Sequence, residues 1–116
     1  MDKAVIMFVC AGGMSSSLVV SKMQKAAEAY DMEIELWATG VKRGGETLKK
    51  RDDIDYLLVG PQVRFTLSDL EKIRDDYDRK TIIKVADMRD YGMVDGEKIL
   101  RDTMEILEAR HVSTEN

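Results

Sequence analysis

The apolar positions of this chain form short runs separated by amphipathic or polar stretches, and their spacing alternates between strand and helix periods. Residues 3–9 read as a nearly continuous apolar run, the pattern of a parallel strand covered on both faces. Residues 16–30 switch to helical spacing. Val19, Met23, Ala26, Ala27 and Tyr30 share one face, with Ser21, Lys22, Lys25 and Glu28 opposite. Residues 33–38 alternate polar and apolar, which predicts a second strand. Residues 39–53 are polar, with Gly44-Gly45 and a charged run from Lys49 to Asp53, and predict a loop with a short exposed helix.

A third strand is expected over residues 55–60, stopped by Gly60-Pro61. Residues 67–79 predict a helix with Leu67, Leu70, Ile73 and Tyr77 on one side, capped by Thr66 or Ser68. Residues 81–86 predict the fourth strand and 87–95 a polar loop. Residues 97–110 predict a final helix offering Ile99, Leu100, Met104, Ile106 and Leu107 to the core, followed by a frayed, flexible tail at 111–116. No repeat or low-complexity segment interrupts this order. Strands joined by helices imply right-handed crossovers and a parallel sheet, so the expected class is α/β, a single domain over residues 1–110.

Composition narrows the function. A chain of 116 residues can bury one real core. A net charge of −4 and a pI near 5.0, with charges of mixed sign, argue against nucleic acid as a partner. The lone cysteine excludes an internal disulfide and fits a reducing, cytoplasmic setting. The first apolar run is too short for a signal peptide, and no stretch reaches the length of a membrane span. The reading is a cytosolic protein without direct membrane insertion, in which any membrane role comes through a partner.

In parallel α/β sheets ligands bind beyond the carboxyl ends of the strands. Four loops share that edge: those after Cys10, at Thr39-Gly40, at Gly60–Arg64 and at Ala86–Arg89. Only the first combines a thiol with small residues, Cys10-Ala11-Gly12-Gly13-Met14-Ser15-Ser16-Ser17. Strand, small-residue loop and helix direct backbone N–H groups and the positive end of the helix dipole at one point, which suits an anion. The same environment favours thiolate, the nucleophilic form of cysteine.

Three readings of Cys10 compete. One is a core cysteine at the end of a strand. The second is a phosphatase loop, with a cysteine, five residues and then an arginine that clamps phosphate. Here the arginine position is Ser16, and no basic residue lies between Cys10 and Lys22. Without that cation, hydrolysis loses much of its transition-state stabilisation, which argues against a phosphatase. The third is a phosphoryl carrier, which needs a thiolate acceptor and N–H donors but no strong device for attack by water. A non-catalytic anion-binding or regulatory module of the same fold is the alternative from a different class.

Three stretches occur in order along the chain: Val9–Val20, Leu57-Leu58-Val59-Gly60-Pro61-Gln62-Val63-Arg64 and Asp90-Tyr91-Gly92-Met93-Val94-Asp95-Gly96. On these the chain resembles the IIB component of the bacterial sugar phosphotransferase system, lactose/cellobiose class. The resemblance implies a four-stranded parallel sheet of order 2-1-3-4 flanked by helices in three layers, with a phosphatase-loop-like active-site turn. It further implies that Cys10 accepts a phosphoryl group from a phosphohistidine on the IIA protein. Cys10 then passes the group to a sugar bound by the membrane transporter IIC. The phosphate would be held by Ala11, Gly12, Gly13, Met14, Ser15, Ser16 and Ser17, with no cofactor or metal. The loop departs from the family pattern in its extra glycine and in serines where threonine is common. Met14 is closer to the cellobiose or diacetylchitobiose branch than to the lactose branch, which points to a β-linked disaccharide.

Other candidates have ordinary explanations. His111, the only histidine, reads as a solvated tail residue, and the eight methionines mostly as core filler. Arg64 and Arg89 reach towards the active edge or form surface ion pairs. Asp87 and Asp90 would repel phosphate and fit loop caps or partner contacts. Trp37, expected at the end of the second strand, fits packing. A docking surface for IIA and IIC is expected to comprise Met14, the loop serines, Val63, Arg64 and Met88 to Tyr91.

Overall fold

A computed structural model of the chain describes residues 3–11 and 14–115. Four strands, β1 (Ala4–Cys10), β2 (Ile34–Gly40), β3 (Tyr56–Val59) and β4 (Ile82–Val85), form one sheet of order β2-β1-β3-β4. All three pairings are parallel, with Cys10 opposite Gly40 and Val9 opposite both Thr39 and Val59. The expected strand order and class are those observed.

β1 is buried along its whole length because both faces are covered. Its even-numbered residues Ala4, Ile6, Phe8 and Cys10 join a cluster with α1 (Met14–Ala29) and α5 (Gly96–Glu115). Its odd-numbered residues Val5, Met7 and Val9 join a second cluster with α2 (Val41–Lys50) and α3 (Leu67–Asp76). This two-sided burial explains why the strand reads as a run and not an alternation. Each large side chain fully buried here contributes about 1.5–3 kcal/mol. The amino end of β1 is fixed by its neighbour, since Val5 N–H donates to Asp55 Oδ2 at 2.8 Å.

Several expectations are corrected. Residues 41–50 form a regular helix that is not simply exposed, because Gly44, Gly45 and Leu48 are buried beneath it. Its core face is largely glycine, so it lacks the aliphatic stripe that marks an amphipathic helix. The stretch 87–95 contains a short helix, α4 (Met88–Gly92), capped by Asp87, whose Oδ1 accepts from Asp90 N–H at 2.9 Å. A 3-10 turn over Pro61–Thr66 precedes α3. Thr66 does not cap α3; its hydroxyl donates to the Val63 carbonyl at 2.7 Å. α1 starts at Met14, two residues earlier than the spacing indicates. Tyr30 and Tyr77, assigned to core faces, are exposed. Tyr30 lies past the end of α1 and donates to Glu97 Oε1 at 2.6 Å. α5 continues to Glu115, so helix replaces the frayed segment expected there, and His111 lies half-buried within it.

Trp37 sits mid-strand in β2, packs against the second cluster and carries the Arg51 guanidinium 5.0 Å over its ring. The connection into α5 is tight. Val94 adopts φ 53°, a rare conformation for a β-branched residue. At Gly96 an added Cβ would lie 2.6 Å from Lys22 Cβ and 2.7 Å from Met23 N, so α5 begins in direct contact with the α1 backbone.

Candidate functional site

The site grows from the topology. β1 connects to β2 on one side and the chain then returns across to β3 on the other, so the order reverses between β1 and β3. In open α/β sheets that reversal opens a crevice at the carboxyl edge, where ligands bind. Cys10 is the last residue of β1 and stands at this point. The β3 side closes against it through Gly60, whose N–H donates to the Val9 carbonyl at 2.8 Å. A Cβ on Gly60 would meet Val9 O at 3.4 Å and Cys10 Cα at 3.7 Å.

The thiol itself is 5% exposed, and Sγ donates a weak hydrogen bond to the Thr39 carbonyl of β2 at 3.6 Å. Ala11 follows as an exposed bend. Gly12 and Gly13 lie outside the described residues, as do the side chains of Met14 and Ser15. The α1 backbone begins at Met14, so its first turn starts four residues after the thiol, and Ser17 is exposed on that turn. Ser16 is different: it is buried, and its Oγ lies 3.0 Å from the Tyr91 hydroxyl. Expected as an auxiliary phosphate donor, Ser16 already has a protein partner.

The flanking loops are placed as follows. Arg64 donates to the Pro61 carbonyl at 3.1 Å and thereby stiffens its own turn. Arg89 is exposed on α4. Asp87 caps α4, as anticipated. Asp90 is buried, and its carboxylate pairs with Lys98 Nζ at 2.9 Å. Lys98 also pairs with Asp102 at 2.9 Å, and these two carboxylates push its ammonium well above the ordinary lysine range. Asp90 is therefore a structural ion pair. Two members of the expected docking surface are corrected: Val63 and Tyr91 are buried in the two clusters and present no side chain to a partner. Phe65, not anticipated, is 77% exposed on the turn after β3, and Met88 is exposed at the start of α4. An aromatic residue two after Val63 in a Pro-initiated turn was the available signal. Among the described residues no cluster of three or more His, Cys, Asp or Glu could hold a metal, and no helix is long and apolar enough to cross a membrane.

Chemically, the arrangement offers one nucleophile at the crevice, a helix N-terminus just beyond it and no described cation bonded to the thiol. Comparison with known proteins identifies the family. The profile of the family "PTS system, Lactose/Cellobiose specific IIB subunit" matches residues 5–102. The oligo-beta-mannoside-specific EIIB component of Bacillus subtilis is 37% identical over 102 residues, 88% of this chain and 94% of that protein. The cellobiose-specific EIIB component of Lactococcus lactis is 38% identical over 102 residues, 86% of this chain and 93% of that protein. The solution structure of a cellobiose-specific phosphotransferase IIB component from Borrelia burgdorferi superimposes with a TM-score of 0.71 at 29% identity, covering 92% of this chain and 94% of that one. The chain belongs to the lactose/cellobiose-specific IIB family of the sugar phosphotransferase system.

Proposed function

We propose that the protein is a cytoplasmic phosphoryl carrier in which Cys10 is both acceptor and donor. The observation that supports this most directly is the position of the thiol, at the end of strand β1 and at the topological switch point, four residues before the start of α1. In the first step the Cys10 sulfur attacks the phosphorus of a phosphohistidine on IIA. An S–P bond forms, the N–P bond breaks, and the electron pair returns to the imidazole nitrogen. In the second step a hydroxyl of a sugar held by the membrane component IIC attacks the same phosphorus. An O–P bond forms, the S–P bond breaks, and the thiolate is regenerated while the hydroxyl proton leaves to a base.

The chain's contribution is electrostatic and geometric. The N–H groups of residues 11–17 and the α1 dipole would hold the phosphoryl oxygens, with Ser15 and Ser17 hydroxyls as further donors. The loop lacks the arginine that a hydrolytic enzyme uses, so the thiophosphate persists until a partner accepts it. Both partners must reach one sulfur and then leave, which favours a small patch around the crevice; exposed Phe65, Met88 and Arg64 are suitably placed on the neighbouring loops. The relatives' names point to a β-linked disaccharide such as cellobiose as the cargo.

The test is intact mass after incubation with the general phosphotransferase proteins and a cognate IIA. One phosphoryl addition on the peptide containing Cys10, lost in Cys10→Ser, is expected. Stable phosphate on His111 or a serine, or none at all, overturns the reading.

A further inference from the structure

We infer that Tyr91 is a positioning residue for the Cys10 loop, acting through the hydroxyl of Ser16; this rests on the carrier reading above. Three observations converge on it. The Tyr91 hydroxyl lies 3.0 Å from Ser16 Oγ, a buried pair joining residues 75 apart in sequence. The Tyr91 ring packs at 53° on Phe8, with centroids 6.1 Å apart, and Phe8 stands two residues before Cys10 on β1. The Tyr91 backbone is fixed independently: its N–H donates to the Asp87 carbonyl at 2.9 Å and its carbonyl accepts from Val94 at 3.0 Å. Its neighbour Asp90 is held by Lys98 at 2.9 Å.

The tyrosine thus bridges the strand that ends in the thiol and the first turn of α1, the helix that begins four residues after it. The loop between these points is built of small residues, Ala11-Gly12-Gly13, which impose little conformation of their own. An external brace is therefore needed if the amides are to keep their aim. Of the two loop serines whose side chains are described, Ser16 is buried and receives it, while Ser17 is exposed. Tyr91 touches neither donor nor acceptor in this scheme. Its effect is on the organisation of the loop, and hence on the transfer step within the docked complex, not on docking itself.

The decisive variants are Tyr91→Phe, which keeps the ring on Phe8 and removes only the hydroxyl, Ser16→Ala, and the two combined. Transfer from phosphorylated IIA is measured at saturating and half-saturating donor. Each single change should slow the saturated rate about fivefold, the worth of one buried hydrogen bond, with the half-saturating concentration unchanged. The double variant should be no slower than either single one, because both remove the same link. Tyr30→Phe serves as control: it also loses a tyrosine hydrogen bond, 2.6 Å to Glu97, but at the opposite end of α1, and should transfer at the wild-type rate. Circular dichroism checks the fold of each.

A second readout does not depend on phosphoryl transfer. Iodoacetamide at about pH 10, where a free thiol is already ionised and access alone sets the rate, should alkylate Cys10 faster in Tyr91→Phe than in wild type, since a released loop uncovers a buried thiol. If wild type accepts no phosphoryl group yet this acceleration appears, the carrier reading fails and the brace stands. Transfer by Tyr91→Phe within twofold of wild type, or losses that multiply in the double variant, overturn the brace.

Discussion

Replacing Gly44 by alanine measures how closely α2 is seated on the strand that ends in Cys10. Gly44 is an interior position of α2, where alanine is intrinsically better than glycine by about 0.8–1.0 kcal/mol. On a solvent-facing helix the change would stabilise. Here an added Cβ falls 2.6 Å from Val9 Cγ2 and 3.5 Å from Thr39 Cγ2. Val9 is fully buried, its backbone is paired to β2 and β3, and its branched side chain has little rotamer freedom. It cannot yield, so α2 must lift from the sheet. Forcing a methyl group into a filled core costs about 1–3 kcal/mol, and a contact this short belongs at the upper end. Set against the propensity gain, the net loss should be about 2 kcal/mol. Gly45 provides the comparison. Its added Cβ would lie 3.2 Å from Ile73 Cδ1, the tip of a half-buried flexible side chain. There propensity should win, stabilising by about 0.5 kcal/mol. Urea unfolding of both variants, with m-values checked for constancy, gives the two numbers. Val9→Ala supplies the internal test. Alone it loses about 2 kcal/mol of packing, but it removes the clashing atom, so Gly44→Ala/Val9→Ala should be at least about 1 kcal/mol more stable than additivity allows. Equal stabilisation by both alanines, or an additive pair, would refute the argument.

Three further outcomes are expected. Burial pushes the Tyr56 hydroxyl up to about 12, while its hydrogen bond with Thr103 pulls the other way. The unfolded chain releases this proton near pH 10, so the associated stability, roughly 3 kcal/mol, is complete below that value and is lost as pH rises towards the folded pKa. Denaturant midpoints at pH 8 and pH 11.5 should therefore diverge in wild type and differ less in Tyr56→Phe; equal divergence in both would count against it. Gly96→Ala should cost about 3 kcal/mol or more in thermal unfolding, because its Cβ would strike the α1 backbone and not a movable side-chain tip; a neutral result would contradict that contact. Phe65→Glu should slow transfer from phosphorylated IIA about fivefold or more through repulsion at the proposed docking face while leaving circular dichroism unchanged, and an equal loss in Lys25→Glu, on α1 away from that edge, would show the effect to be general.

The strands were readable because their apolar content follows their position in the sheet. β1, covered on both faces, reads as an unbroken apolar run, while edge strand β2 alternates. The helices that periodicity missed (α4) or read only as short and exposed (α2) share a common reason. α2 meets the core with Gly44 and Gly45 beside Leu48, so close approach replaces an apolar stripe. α4 is five residues long, and its buried members are Asp90 and Tyr91, a charge and a phenol satisfied by partners on other elements. Hydrophobic spacing registers how much oil an element offers; it is blind to an element held by contact distance or by paired polar groups. Tyr30 and Tyr77 show the converse error. Both fall at the right spacing, but they lie beyond the last residues of α1 and α3, where the chain has left the core face.

The candidate site divides along the same line. Everything that depends on adjacency in sequence was legible: a thiol closing a strand, small residues, then a helix start. That constraint is local, because only a strand-to-helix turn of small residues brings N–H groups and a side chain to one point within a few residues. What the sequence did not disclose is the long-range part. Ser16 stands in a run of three serines that composition treats as equivalent. Only the fold separates them, by placing one under α4 where the Tyr91 hydroxyl waits and leaving Ser17 in solvent. In the proposed carrier, the loop that would hold the phosphoryl group is thus backed by residues that take no part in the chemistry. Substitutions at the brace should therefore alter the rate of transfer before they alter its occurrence, whereas loss of the Cys10 thiol should abolish it.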